Sequence, residues 1–166
     1  LLMSGASIGG GVKLGVLCDT NYCFSVTGNI NGNVNFPVQQ QPNNWDFIVF
    51  THELGHNFNA LHTHDYCPPL DECAPSGYFG ACQNSQTCTS SGTLMSYCHL
   101  CSGGTANVTT YLHPPVIRDM QAHASHSTDH RVPTTLAAPT LAPPATPTPL
   151  TAHHPAPPGR APYPTS

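Results

Sequence analysis

His52, Glu53, His56 and His62 are the residues of this chain whose types and spacing can do chemistry. On an α-helix, residues i and i+4 lie one above the other on the same face, so His52 and His56 would aim two imidazoles at one point. Neutral imidazole is a good zinc ligand. Glu53 sits one step round the helix, too far round to be a third ligand. It is well placed to bond a water at the metal and act as general base. Three protein ligands and an open fourth position mark a catalytic zinc site, whereas a structural site fills all four with protein. The expected cofactor is one catalytic Zn2+.

His62 lies six residues after His56, too far along to share its helical face. The chain must leave the helix and turn back. Such a turn is usually made by one residue at positive φ, a glycine position. Here that place holds Asn59, and Asn is the commonest non-glycine residue in the left-handed region. Asn59 is therefore expected at positive φ.

The helix that carries the pair should start near Asn43 or Asn44, with Asn as N-cap and Asp46 as a capping partner near the positive end of the dipole. Phe47–Thr51 has strand propensity. The helical reading wins because Trp45, Ile48/Val49, His52 and His56 follow one face, and Phe47, Phe50/Thr51, Leu54 and Phe58 another. A helix apolar on most sides should be buried.

Around it, Val12-Lys13-Leu14-Gly15-Val16-Leu17 reads as a strand closed by Cys18, and Tyr22–Val26 as a second. Asn29–Gln41 reads as a solvated loop. Thr63–Thr93 holds four cysteines and reads as a disulfide-pinned loop. Within it, His64 and Asp65 either orient an imidazole from behind or lie in a solvated turn. Glu72 is the only other Glu, and Pro68-Pro69 argue against the helix it would need to serve as a metal ligand. Val116–Ala124 reads as a closing helix entered by Pro114-Pro115, with Val116, Met120 and His123 inward.

Charged residues make up only 7% of the 166 residues, with a net charge of −4 and no basic patch, which argues against nucleic acid as a partner. No run reaches the roughly 18 apolar residues of a membrane span. Eight cysteines point to an oxidising compartment and disulfides. Cys98-His99-Leu100-Cys101 leaves a zinc module as the rival reading. Cys18 and Cys23 flank one short loop and form the one local pair expected. Asn107-Val108-Thr109 is a glycosylation sequon and implies a surface loop. No signal peptide is read at Leu1-Leu2-Met3, so a secreted or extracellular location rests on the cysteines and the sequon. Eleven of the 18 prolines fall between Pro133 and Pro164, which marks 126–166 as a disordered, mucin-like tail behind a domain at 1–125. His153 and His154 in it are read as incidental.

The pattern H-E-x-x-H-x-x-N-x-x-H resembles the metzincin signature, with Asn for Gly. Gly92-Thr93-Leu94-Met95-Ser96-Tyr97 resembles the tight Met-turn that lies beneath the zinc in that clan. With Gly10-Gly11-Val12, Trp45-Asp46 and Leu112-His113-Pro114, these stretches resemble the C-terminal part of a reprolysin (adamalysin)-like catalytic domain. The resemblance implies an α+β, metzincin-like fold. It has a remnant of a mixed sheet, a central zinc-binding helix and an irregular disulfide-rich lower subdomain. The family domain usually carries more sequence than the 51 residues that precede His52 here, so its first strands are expected to be missing. It also implies a zinc endopeptidase acting on extended protein or peptide substrates. In it His52, His56 and His62 bind the metal, Glu53 is the base and Met95 the Met-turn residue. Val12, Lys13, Leu14, Gly15 and Val16 would form the edge strand that pairs with substrate. His99–Tyr111 would wall the pocket after the scissile bond. Tyr97 resembles the tyrosine that binds zinc or stabilises the transition state in astacin-like enzymes, or else packs beneath the Met-turn. The alternative function is a catalytically inactive secreted binding or matrix protein that retains the fold.

Overall fold

The computed structural model describes residues 1–8 and 10–127; the Pro-rich tail expected at 126–166, with His153 and His154, lies almost wholly outside them. The fold is a small α+β assembly. Three short strands, β1 (Leu2–Met3), β2 (Gly11–Val12) and β3 (Ser25–Thr27), form a sheet in the order β1-β3-β2. β1 runs parallel to β3, with Leu2 opposite Val26, and β2 antiparallel to it, with Gly11 opposite Val26. Helix α1 (Trp45–Asn57) packs on the sheet, and α2 (Pro114–Ser127) ends the described part. Three 3-10 turns, Thr63–Asp65, Cys98–Leu100 and Gly104–Asn107, punctuate the rest.

The expected strand Val12–Leu17 is shorter than its composition suggests, because its backbone has another task. The N–H groups of Gly15 and Leu17 donate to the carbonyls of His56 (3.0 Å) and Asn57 (3.1 Å). The last turn of a helix leaves four carbonyls without intrahelical partners, and this segment supplies two. Gly15 (φ +63°) and Cys18 (φ +65°) make the bends that bring it there. Lys13 and Leu14 therefore leave the sheet; the Lys13 ammonium sits 4.1 Å from the centre of the Tyr22 ring. The expected second strand moves to Ser25–Thr27.

Asn44 does cap α1 by position, but its side chain makes no capping bond. It instead contacts Gln39 and accepts from Gln41 Nε2. Asp46 is not a capping partner. Its carboxylate accepts the N–H groups of Asn31 and Gly32 (2.6 Å) and fastens the Asn-rich loop to the helix. Gln40 Nε2 donates to the carbonyls of Ser90 and Ala106, both at 2.7 Å, so this loop is anchored rather than simply solvated. On α1 the face bearing Ile48, Val49, His52 and His56 is buried, while Leu54 on the other is 37% exposed.

The 63–101 region is pinned as expected, by disulfides Cys67–Cys82, Cys73–Cys98 and Cys88–Cys101. Cys98 and Cys101 belong to different bridges, which removes the zinc-module reading. Cys18 and Cys23 are not paired; both thiols are free and exposed. Asp19 Oδ1 accepts the N–H groups of Asn21 and Tyr22 and organises that loop without a bridge. Asn107 is not on an exposed loop. It is 8% exposed, and its Nδ2 donates to the carbonyls of Cys98 and Ser102, so the sequon serves packing. The closing helix is longer than expected, with Val116 fully buried and Met120 packed beside it against Ala60 and Met95.

Candidate metal centre

The turn after α1 brings the third histidine back. Asn59 has φ +68°. Its N–H donates to His56 O (2.9 Å) and the Ala60 N–H to Gly55 O (3.0 Å), the paired bonds of a Schellman motif with Asn59 at the left-handed position. His62 then lies in extended backbone (ψ 154°) at the entry of the 3-10 turn.

Three imidazoles converge as a result. His56 Nε2 is 3.1 Å from His52 Nε2 and 3.1 Å from His62 Nε2. Each Nδ1 faces an acceptor, which sets the tautomer: His52 Nδ1–H donates to Leu94 O (2.8 Å), His56 Nδ1–H to Ala60 O (2.6 Å) and His62 Nδ1–H to Asp65 Oδ2 (3.1 Å). Three Nε2 lone pairs therefore point at one another. Without a cation that arrangement is repulsive. With one it is the donor set and spacing of a three-histidine zinc site, whose ligand nitrogens lie about 3–4 Å apart. Burial holds all three imidazoles below their ordinary value, His52 well below and His62 down to about 3, so they are neutral and able to ligate.

Glu53, beside the pair, is 7% exposed, and burial pushes its carboxyl up to about 7. Gly10 lies against it so closely that any side chain there would overlap the carboxylate. Gly10, Gly11 and Val12 line a cavity of about 210 Å3 together with Glu53, the three histidines and Tyr97. Of the expected substrate strand, Leu14 lines a neighbouring cavity with Val12, His56 and His62, while Gly15 bonds the end of α1 and Val16 is buried.

Met95 is fully buried and packs with Ala60 and Val116. A Cβ at Gly55 would lie 2.7 Å from Met95 Sδ, so the helix and the turn meet at that glycine. The carbonyl of Leu94 orients His52, and that of Met95 accepts the Thr63 N–H (3.1 Å). The Tyr97 ring packs edge-on to His62 (4.7 Å) and near His64 (4.7 Å), and burial raises its phenol. His64 is not in a solvated turn; it is 2% exposed and stacks on His62 at 5.0 Å. Glu72 forms an isolated bridge with Thr87 and takes no part in the cluster.

Sequence reasoning named Gly10 only within a stretch that carries the resemblance, with no contact to Glu53 foreseen, and did not single out Gly55. Their signal is a missing side chain where two elements touch, which spacing alone does not reveal. Of the segment His99–Tyr111, only His99 and Leu100 reach the larger cavity beside Glu53.

Among the described residues, no helix is long and apolar enough to cross a membrane. No curated protein and no solved structure gives a significant match. A family model, the reprolysin-type metallo-peptidase family M12, matches residues 1–111. The chain belongs to metallo-peptidase family M12, a peptidase family, over two thirds of its length.

Proposed function

We propose that this chain is a zinc-dependent endopeptidase of the metzincin type, acting on extended segments of proteins or peptides. The observation that carries the reading is the convergence of three Nε2 atoms, 3.1 Å apart in sequence along the triad, beside a buried carboxyl. Zinc held by His52, His56 and His62 would supply Lewis acidity toward the scissile carbonyl and toward water. Glu53 takes the proton of the attacking water and passes it to the leaving amine. Glu53 is buried beside the triad and one step round the helix from His52, which places its carboxyl for both transfers. Gly11 and Val12 form one end of the sheet order, so the far edge of β2 is open to an extended peptide beside Glu53. Three disulfides in an M12 domain support an extracellular location. The inactive-relative reading is not favoured, because the base stands with the ligands.

The test pairs metal content with cleavage. The chain should bind one zinc and cut peptides; Glu53→Gln should keep the zinc and lose about 10^2–10^4-fold in rate. Zinc lost in that variant, or cleavage retained, would overturn the assignment of Glu53.

A further inference from the structure

The buried imidazole of His64 has no part in the chemistry proposed above. Its ring is 2% exposed, and among the described residues neither nitrogen makes a hydrogen bond. Nδ1 is sealed inside the protein, which leaves Nε2 as the nitrogen able to act. Nε2 faces Asp65 Oδ1 at 3.8 Å, too far for a hydrogen bond. A buried polar group without a partner points to a role other than packing, and an ion is one partner that satisfies it.

The surroundings of Nε2 fit an ion. The rings of His62 and His64 stack at 5.0 Å with their planes 7° apart. The Asp65 carboxylate reaches both. Its Oδ2 accepts the Nδ1–H of His62 at 3.1 Å, while its Oδ1 faces His64. The first contact is a hydrogen bond. The second is a gap that two bonds of about 2.1 Å to one metal ion would span. His62, His64 and Asp65 each offer a ligand atom within 4.8 Å of the others. Asp65 is partly exposed and lines a cavity of about 260 Å3 with His62, so an ion can reach it from solvent. An imidazole nitrogen beside a carboxylate oxygen suits Zn2+ rather than Ca2+ or Mg2+, which prefer oxygen alone.

We infer that His64 Nε2 and Asp65 Oδ1 form a second zinc site, weaker than the triad and inhibitory when filled. Two protein ligands leave the rest of the shell to water, against three imidazoles at the triad. Oδ2 keeps its bond to His62. The second ion neutralises the carboxylate that polarises the His62 ring, which makes His62 a weaker ligand for the first ion. The two cations also repel. The inhibitory effect rests on the peptidase reading; the binding does not.

The experiment adds zinc stepwise to the metal-stripped full chain and follows binding by calorimetry and peptide cleavage in parallel. The unaltered chain should bind one ion tightly and a further one more weakly. Filling the weaker site should slow cleavage about tenfold, the lower end of what losing such an orienting partner costs. His64→Phe keeps a ring to stack on His62; it should bind one ion fewer, retain the tight site and lose the inhibition. All other histidines are the same in both proteins, so weak binding elsewhere cancels in the comparison. If that variant does not fold, Asp65→Asn, at an exposed position, should also bind one ion fewer. An unchanged count in either folded variant, inhibition that persists in His64→Phe, or no weaker ion in the unaltered chain would overturn the inference and leave the peptidase reading intact. A His64-dependent ion without any tight ion or cleavage would leave the second site standing and overturn the peptidase reading instead.

Discussion

At the residue scale, the proposed metal centre depends on the groups that orient its histidines as much as on the histidines. Asp65 is partly exposed, yet its Oδ2 receives the Nδ1–H of His62, the proposed ligand that no helix supports. Partners of this kind fix ring orientation, and losing one typically costs 10–100-fold in metal affinity. Asp65→Asn should therefore weaken zinc binding within about that range while His52 and His56 keep their carbonyl partners; a chelator competition would measure it, and unchanged affinity would show that Asp65 is decorative. Asn59 sets a second test. Its positive φ is open to glycine without strain, whereas a β-branched residue there costs about 1–2 kcal/mol. Asn59→Gly should bind zinc as the unaltered chain does, and Asn59→Val should bind it more weakly and melt earlier. Equal behaviour of the two would mean that the turn does not depend on that residue's backbone freedom.

At the scale of elements, α1 and the turn at Thr93–Ser96 form one unit. Gly55 lets the helix approach Met95, whose neighbour Leu94 orients His52. Gly55→Ala would gain about 1 kcal/mol in helix propensity. Against that, a Cβ 2.7 Å from a fully buried sulfur forces the turn away, and overpacking costs about 1–3 kcal/mol. The expected result is a lower melting temperature together with weaker zinc binding, since the Leu94 carbonyl moves with Met95. A stabilised variant with full zinc affinity would show that the turn gives way freely. The disulfide Cys73–Cys98 holds the segment after Met95 to the preceding loop, next to Tyr97. The elements that place the site are thus a helix, a left-handed turn and a cross-linked loop, with little sheet.

At the scale of the whole molecule, the buried histidines make stability depend on pH. His62 titrates near 3 in the fold against an ordinary 6.5, and His52 and His56 are also held low by burial. Below about pH 6.5 the unfolded chain binds protons that the folded one refuses, so stability should fall as pH drops from there toward 3. Glu53 acts the other way: its folded value near 7 lies above the ordinary 4.5, so its contribution is lost as pH rises through that interval. His64 and His99 are also held low by burial, and five imidazoles against one carboxyl leave a net loss on acidification. Melting of the metal-free chain between pH 7.5 and 4 should show a falling midpoint, and zinc should widen the difference by requiring neutral imidazoles; a flat profile would contradict the burial of the triad. As to what could be read in advance, the sequence alone determined the convergence of the three histidines, the helix that carries two of them with Glu53, and the positive φ of Asn59. These follow from helical periodicity and from the steric map of one residue, both local properties. Tertiary structure decided the rest. Leu14–Leu17 has a strand's composition but caps a helix, because the helix's last carbonyls needed donors more than the sheet needed length. Asp46 could cap its own helix but holds a distant loop. Asn107 carries a sequon but fills a buried corner, and Cys18 and Cys23 remain apart. In each case a side chain or backbone group had two uses of similar energy, and which of them prevailed depended on residues far along the chain that only folding brings near.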